Sequence, residues 1–265
     1  MTHVLDAILR AKCEEIAALS RTKAEPRIAR GPRKNVVASL GRPSGEPLRL
    51  MAEIKRRSPS AGPLSTVLSV ADRALAYARA GAAMISVLTD ARFFDGSWSH
   101  LVEARRALDD AGLVVPLLAK EFVLDPRQIE EAAACGADAV LVIARIVDYD
   151  TLGALVRRAR ELSLEPLVEV VNEDELSAAI DADAKVIGVN ARDLDTLAMD
   201  PARAARVLAA VPSDRIAVHL SGLKGPDDVR VVARTDVDAA LVGEALMRED
   251  DPSPLLRAML LAAHG

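Results

Sequence analysis

Several charged and amide side chains stand where an apolar run should continue. The stretch 51–60, M-A-E-I-K-R-R-S-P-S, opens as a buried strand and then places Glu53 and Lys55 two positions apart. Side chains alternate across a strand, so this carboxylate and ammonium share one face. Ionised groups held away from water must be paired or lose their charge. The same interruption recurs at the ends of later apolar runs, as Lys120, Glu169, Asn190 with Arg192, and Ser221. One such pair reads equally well as a frayed strand end or a structural ion pair. Two acids, two lysines, an arginine and an asparagine converging on one place are better explained by a site. The chemistry on offer is acid–base: ammonium groups that donate protons or hold anions, and carboxylates that keep them charged or take protons.

The elements that must position these groups alternate with regularity. Apolar runs predict strands at about 49–54, 83–88, 115–119, 138–143, 166–170, 185–190, 215–220 and 238–242. Most lack clean alternation, which suits a parallel sheet buried on both faces. Helical periodicity falls between them, at about 69–81, 98–111, 126–136, 148–162, 173–182, 201–210, 226–234 and 252–263. Asp125-Pro126, Asp200-Pro201 and Asn172 with Glu175 are helix starts, and Gly81, Gly112 and Gly136 are helix ends. Eight strand–helix units predict a (β/α)8 TIM barrel over 48–265, and no G-x-G-x-x-G supports an open doubly wound sheet. Residues 1–47 form a helical extension and connector: an amphipathic helix over 2–20, a basic run with Arg27, Arg30, Arg33 and Lys34, and a short helix over 35–40. The basic run is either an anion site or, as such runs mostly are, a solvated loop.

In this fold the chemistry sits at the C-terminal ends of the strands, where the polar residues collect. Gly222 follows strand 7, and Gly243 follows strand 8 at the head of G-E-A-L-M-R. Backbone N–H groups there form a phosphate site, the alternative being plain tight turns.

Composition excludes other classes. A net charge of −5 and 2% aromatic residues argue against nucleic acid as the partner. Asp6, Arg10, Lys12, Glu14 and Glu15 break the N-terminal apolar pattern, so it is neither a signal peptide nor a membrane span. Cys13 and Cys135 are too few for a disulfide framework and read as buried or idle thiols in a reducing cytoplasm. His3, His100, His219 and His264 lack ligand spacing, so no metal is expected.

The segments A-E-I-K-R-R-S-P-S (52–60), A-K-E-F-V-L-D-P-R-Q-I (119–129), G-A-D-A-V-L-V-I (136–143), L-V-E-V (167–170), I-G-V-N-A-R-D-L-D-T-L (187–197) and L-V-G-E-A-L-M-R (241–248) resemble those of the indole-3-glycerol phosphate synthase family, in the same order. The resemblance spans essentially the whole chain. It implies a cytoplasmic carboxy-lyase of tryptophan biosynthesis. Such an enzyme closes the indole ring of 1-(2-carboxyphenylamino)-1-deoxyribulose 5-phosphate with loss of carbon dioxide and water, without a cofactor. Lys120 then matches the proton donor for the sugar carbonyl oxygen, and Lys55 the cation that holds the carboxylate, kept in place by Glu53. Dehydration is shared among Lys55, Glu53 and Glu169, in a division left open. Asn190 is expected on a sugar hydroxyl or the anthranilate group, with Arg192 supporting the acids and contacting substrate. Ser58 and Ser221 also contact substrate; Phe93, Phe122 and Leu141 wall the aromatic ring; Gly222, Gly243 and Glu244 take the phosphate.

The chain departs from the family pattern at three places. Leu220-Ser221-Gly222 replaces Glu-Ser-Gly, removing a carboxylate that His219, of opposite parity, cannot replace. Lys120-Glu121-Phe122 replaces Lys-Asp-Phe, and Ser60-Ala61 ends a motif that usually carries Lys. A phosphoribosylanthranilate isomerase reading requires a Cys near strand 1 and fits poorly. A second class of reading is a weak or inactive paralogue that binds a phosphorylated ligand or a partner enzyme. The expected partners are a small phosphorylated substrate, with no nucleic acid and no membrane; the oligomeric state, monomer or weak dimer, is not readable from the sequence.

Overall fold

A computed structural model describes residues 4–18, 27–28, 31–59 and 62–265. Its centre is a closed barrel of parallel strands: β1 (Arg49–Ile54), β2 (Met84–Leu88), β3 (Leu117–Lys120), β4 (Ala139–Ile143), β5 (Glu165–Val170), β6 (Val186–Val189), β7 (Ile216–His219) and β8 (Ala239–Val242). Each strand pairs with its neighbours in sequence. β8 closes onto β1 with Ala52 opposite Val242. Among the described residues, helices α1 (Val4–Ala18) and α2 (Val36–Leu40) precede the barrel. Around it run α3 (Val70–Ala80), α4 (Ala91–Phe94), α5 (Trp98–Asp110), α6 (Pro126–Ala134), α7 (Tyr149–Glu161), α8 (Glu173–Asp181), α9 (Pro201–Ala209), α10 (Pro226–Ala233), α11 (Glu244–Met247) and α12 (Ser253–Ala262).

Strand alternation divides the core in two. Leu50, Ala52 and Ile54 face the surrounding helices, whereas Met51 joins Met84, Leu118, Leu141, Leu167 and Leu241 in the barrel interior. Glu53 therefore points inward, one step above Met51, and Lys55 follows it. Both ends of the interior are covered by the N-terminal extension. Val36 and Leu40 of α2 join the interior cluster, with Gly41 beside Ile216 at the start of β7. Leu5 and Ile8 of α1 join it at the other end.

The sequence-predicted elements correspond to these within a few residues, and the helix starts behave as expected. Asp125 and Gln128 form a reciprocal capping box, Asp200 caps α9 and Asn172 caps α8. The two-residue ladder Arg57–Ser58 with Gly62–Pro63, and α4, were not foreseen. Of the basic connector, Arg27 pairs with Glu131 and Arg33 donates to the carbonyls of Ala133 and Ala137, so both arginines fasten the chain to α6 and the turn after it. Arg30 lies outside the described residues. Among the described residues no helix is long and apolar enough to cross a membrane.

Candidate active site

A cavity of about 450 Å³ opens at the C-terminal mouth of the barrel. Glu53, Lys55, Ser58, Lys120, Phe122, Leu141, Glu169, Asn190, Arg192, Ser221, Gly222, Gly243 and Glu244 all line it. Phe93 does not, although it was expected as an apolar wall. It sits with the Arg92 guanidinium 5.9 Å from its ring centre, and the neighbouring Phe94 lines the cavity instead, its ring 6.0 Å from that of Phe122. Both rings pack against the interior cluster, and the Asp90 carboxylate caps the short helix α4 on the Phe93 N–H.

The charged groups form two linked sets. Glu53 Oε1 lies 2.7 Å from Lys55 Nζ. Burial works against the Glu53 carboxylate, but the charges of Lys55 and then Lys120 outweigh it and hold its pKa below the ordinary value. Lys120, the last residue of β3, places Nζ 3.5 Å from Glu169 Oε2. The other Glu169 oxygen accepts from Asn190 Nδ2 at 2.8 Å. Asn190 Oδ1 in turn accepts from Ser221 Oγ at 2.7 Å and from the Arg192 backbone N–H at 2.9 Å. One hydrogen-bonded chain thus links the ends of β3, β5, β6 and β7. The Arg192 guanidinium donates to the Leu197 carbonyl at 3.0 Å and so braces its own loop.

The cavity is chemically graded. Phe94, Phe122, Leu141, Ile143 and Leu220 form an apolar side, and α1 adds Val4, Leu5 and Ile8. Leu220 is buried against Gly188, where a Cβ would meet its Cδ1 at 2.5 Å. His219, of opposite parity, does not line the cavity; burial depresses its pKa, and it supplies no substitute for the missing carboxylate. At the other end lie Ser221, Gly222, Lys224, Gly243, Glu244 and Arg248. Gly222 has φ +98°, a left-handed conformation suited to glycine. The Glu244 carboxylate is taken up by Arg248 at 2.7 Å, so it is the backbone of this turn that is offered to a ligand.

Sequence reasoning missed two clusters that support the site. Lys12 of α1 is 1% exposed and its Nζ lies 2.6 Å from Glu15, 2.8 Å from Asp90 and 3.0 Å from Glu121. Burial alone would favour the neutral amine, but Glu121, Asp90 and Glu15 together raise the pKa of the ammonium. Asp90 follows β2 and Glu121 follows Lys120, so this one cation pins α1 across the mouth. Its signal in the sequence was a lysine four residues after Ile8, on the apolar face of the helix. Arg145 lies 2.9 Å from Glu175 and from Asp193, and 3.5 Å from Asp195, tying α8 to the loop after β6.

Comparison with known proteins identifies the family. The family model described as indole-3-glycerol phosphate synthase matches residues 5–259. A protein named indole-3-glycerol phosphate synthase 1 from Streptomyces coelicolor is 38% identical over 99% of this chain and 95% of its own. An indole-3-glycerol phosphate synthase from Nocardioides sp. is 46% identical over 79% of both chains. Among solved structures, KGPDC from Streptococcus mutans superposes with a TM-score of 0.63 at 15% identity, covering 82% of this chain and 97% of that one, which shows the barrel fold alone.

Proposed function

The chain belongs to the indole-3-glycerol phosphate synthase family, and from that premise we propose how the cavity closes the indole ring. The enzyme is a carboxy-lyase of tryptophan biosynthesis that acts on a phosphorylated small molecule. The phosphate sits against the backbone N–H groups of Gly222, Gly243 and Glu244, with Lys224 adding positive charge. The anthranilate ring lies on the apolar side, between Phe122, Leu141 and Phe94. That orientation puts the substrate carboxylate at Lys55 and the sugar carbonyl toward Lys120.

Ring closure forms a bond between the aromatic carbon and the carbonyl carbon, and the carbonyl oxygen gains charge. Lys120 delivers a proton to that oxygen, making it a hydroxyl, and Glu169 holds the ammonium in place. Lys55 stabilises the carboxylate until carbon dioxide departs, leaving the bonding pair to the ring. The hydroxyl then leaves with a second proton, and a carboxylate takes the proton that restores aromaticity. Glu53 and Glu169 stand within the paired sets for this step, sharing it with Lys55. Asn190, held by Glu169 and Ser221, orients the sugar or anthranilate polar groups, and Ser58 contacts substrate beside Lys55. The observation that carries this reading is that each of the two lysines has its own buried carboxylate partner, at 2.7 Å and 3.5 Å, on one cavity.

The second reading, a copy that binds the phosphorylated ligand with weak turnover, draws on Leu220, which leaves one side of the mouth without a carboxylate. A ligand-binding copy has no use for both lysine–carboxylate pairs, and this favours catalysis. We further place the enzyme in the cytoplasm. Mixing the purified protein with 1-(2-carboxyphenylamino)-1-deoxyribulose 5-phosphate should give indole fluorescence that rises with enzyme concentration. Binding of that substrate with no indole formed would reverse the choice between the two readings.

A further inference from the structure

Gly243 has no need of glycine's freedom in φ: at −116° it lies outside the left-handed region. Its reason for lacking a side chain is steric. Ala52 and Val242 are register partners across β1 and β8, so Gly243, the next residue, lies beside Glu53. A Cβ on Gly243 would stand 2.5 Å from Glu53 Oε1, 3.2 Å from Cδ and 3.4 Å from Cβ. That same Oε1 is the oxygen that pairs with Lys55 Nζ at 2.7 Å. Glu53 is buried and faces the barrel interior, on the side opposite to Ala52 and Ile54.

We propose that Gly243 is a positioning residue for the Glu53–Lys55 pair, acting by leaving the space that the Glu53 carboxylate fills, in addition to any backbone contact with phosphate. This rests on the reading of Glu53 and Lys55 as working groups in ring closure. The colliding atoms are the far end of a flexible side chain, so a methyl group at position 243 is accommodated by swinging the carboxylate aside. The fold tolerates that movement, and the pair does not survive it. One turn of chain thereby couples the phosphate end of the cavity to its acid–base end.

Gly243→Ala is the test. The variant should fold, with a melting temperature lowered about as far as that of Glu53→Gln, because the same ion pair is lost. Its kcat should fall on the order of 10²-fold, the scale of an ångström-sized misplacement of a catalytic group. In a Glu53→Gln background, where the pair is already lost, adding Gly243→Ala should cost little more, because the two changes remove one interaction. A Gly243→Ala enzyme with normal kcat and raised KM, or effects that multiply with those of Glu53→Gln, would overturn the proposal and leave Gly243 to phosphate alone. If Glu53→Gln by itself leaves kcat normal, the functional reading of the pair fails, and the crystal structure of Gly243→Ala decides this point instead. A carboxylate moved off Lys55 upholds it; one still paired overturns it.

Discussion

Glu53 is the residue whose environment speaks most directly to pH. Its folded pKa lies below the ordinary 4.5, because Lys55 and Lys120 outweigh burial. The pairing therefore adds stability that is fully present above the unfolded value and is lost as pH falls through the depressed one. The melting temperature of Glu53→Gln should lie below that of the parent at neutral pH, with the gap narrowing as pH falls below 4.5; a constant gap would count against the ion pair. Leu220 is one of the three places where the chain departs from the family pattern that its motifs resemble. Leu220→Glu should raise kcat by restoring a carboxylate at the mouth, at a cost of roughly 1–3 kcal/mol in stability, because a polar group then replaces packing against Gly188 and Leu167. A folded variant with lower kcat would mean that the site has been rebuilt around leucine. Cys135 gives an independent check on packing: burial and the neighbouring Glu131 push its thiol up to about 12. Alkylation of the native protein at mildly alkaline pH should reach the exposed Cys13 and spare Cys135 until the chain unfolds.

At the scale of elements, α1 is a working wall of the site, held there by charge. Lys12→Met leaves Asp90 and Glu121 buried without their cation, a change that costs roughly 3–5 kcal/mol when a buried pair is broken. The loss should be local, since α1 lies outside the closed sheet. Hydrogen exchange should quicken in α1 while the β strands stay protected, and KM should rise because Leu5 and Ile8 no longer close the apolar side. Uniform quickening throughout the barrel would contradict this. The strands and long helices were legible in the sequence because their signals are local: short apolar runs, capping pairs such as Asp125 with Gln128, and glycines at helix ends. Lys12 with Asp90 and Glu121, and Arg145 with Glu175 and Asp193, were not, because each joins segments far apart in the chain. That Phe94 rather than Phe93 lines the cavity is illegible for a related reason. Two identical neighbours cannot be told apart by type, and both pack against the interior cluster. The closeness of Gly243 to Glu53 is likewise invisible in the sequence, since it depends on the register of β8 against β1.

For the molecule as a whole, closing the sheet is what brings the chemistry together. Glu53, Lys120, Glu169 and Asn190 lie on, or directly after, four strands spread across more than half of the sequence, and only the barrel makes them neighbours on one cavity. Their inward direction follows from the alternation that sends Leu50, Ala52 and Ile54 to the helix layer. The helix layer and the plug of α2 keep this frame rigid, while α1 and the loops after the strands shape the mouth. In the proposed mechanism the ammonium at the end of β3, braced by Glu169, gives the proton that drives ring closure. Lys120→Met keeps the length of the side chain and removes its charge. Steady-state kinetics of that variant, with a melt to confirm folding, should show kcat reduced by roughly 10²–10⁴, or about 3–5.5 kcal/mol, with little change in KM. A folded Lys120→Met enzyme with near-normal kcat would show that another group donates the proton.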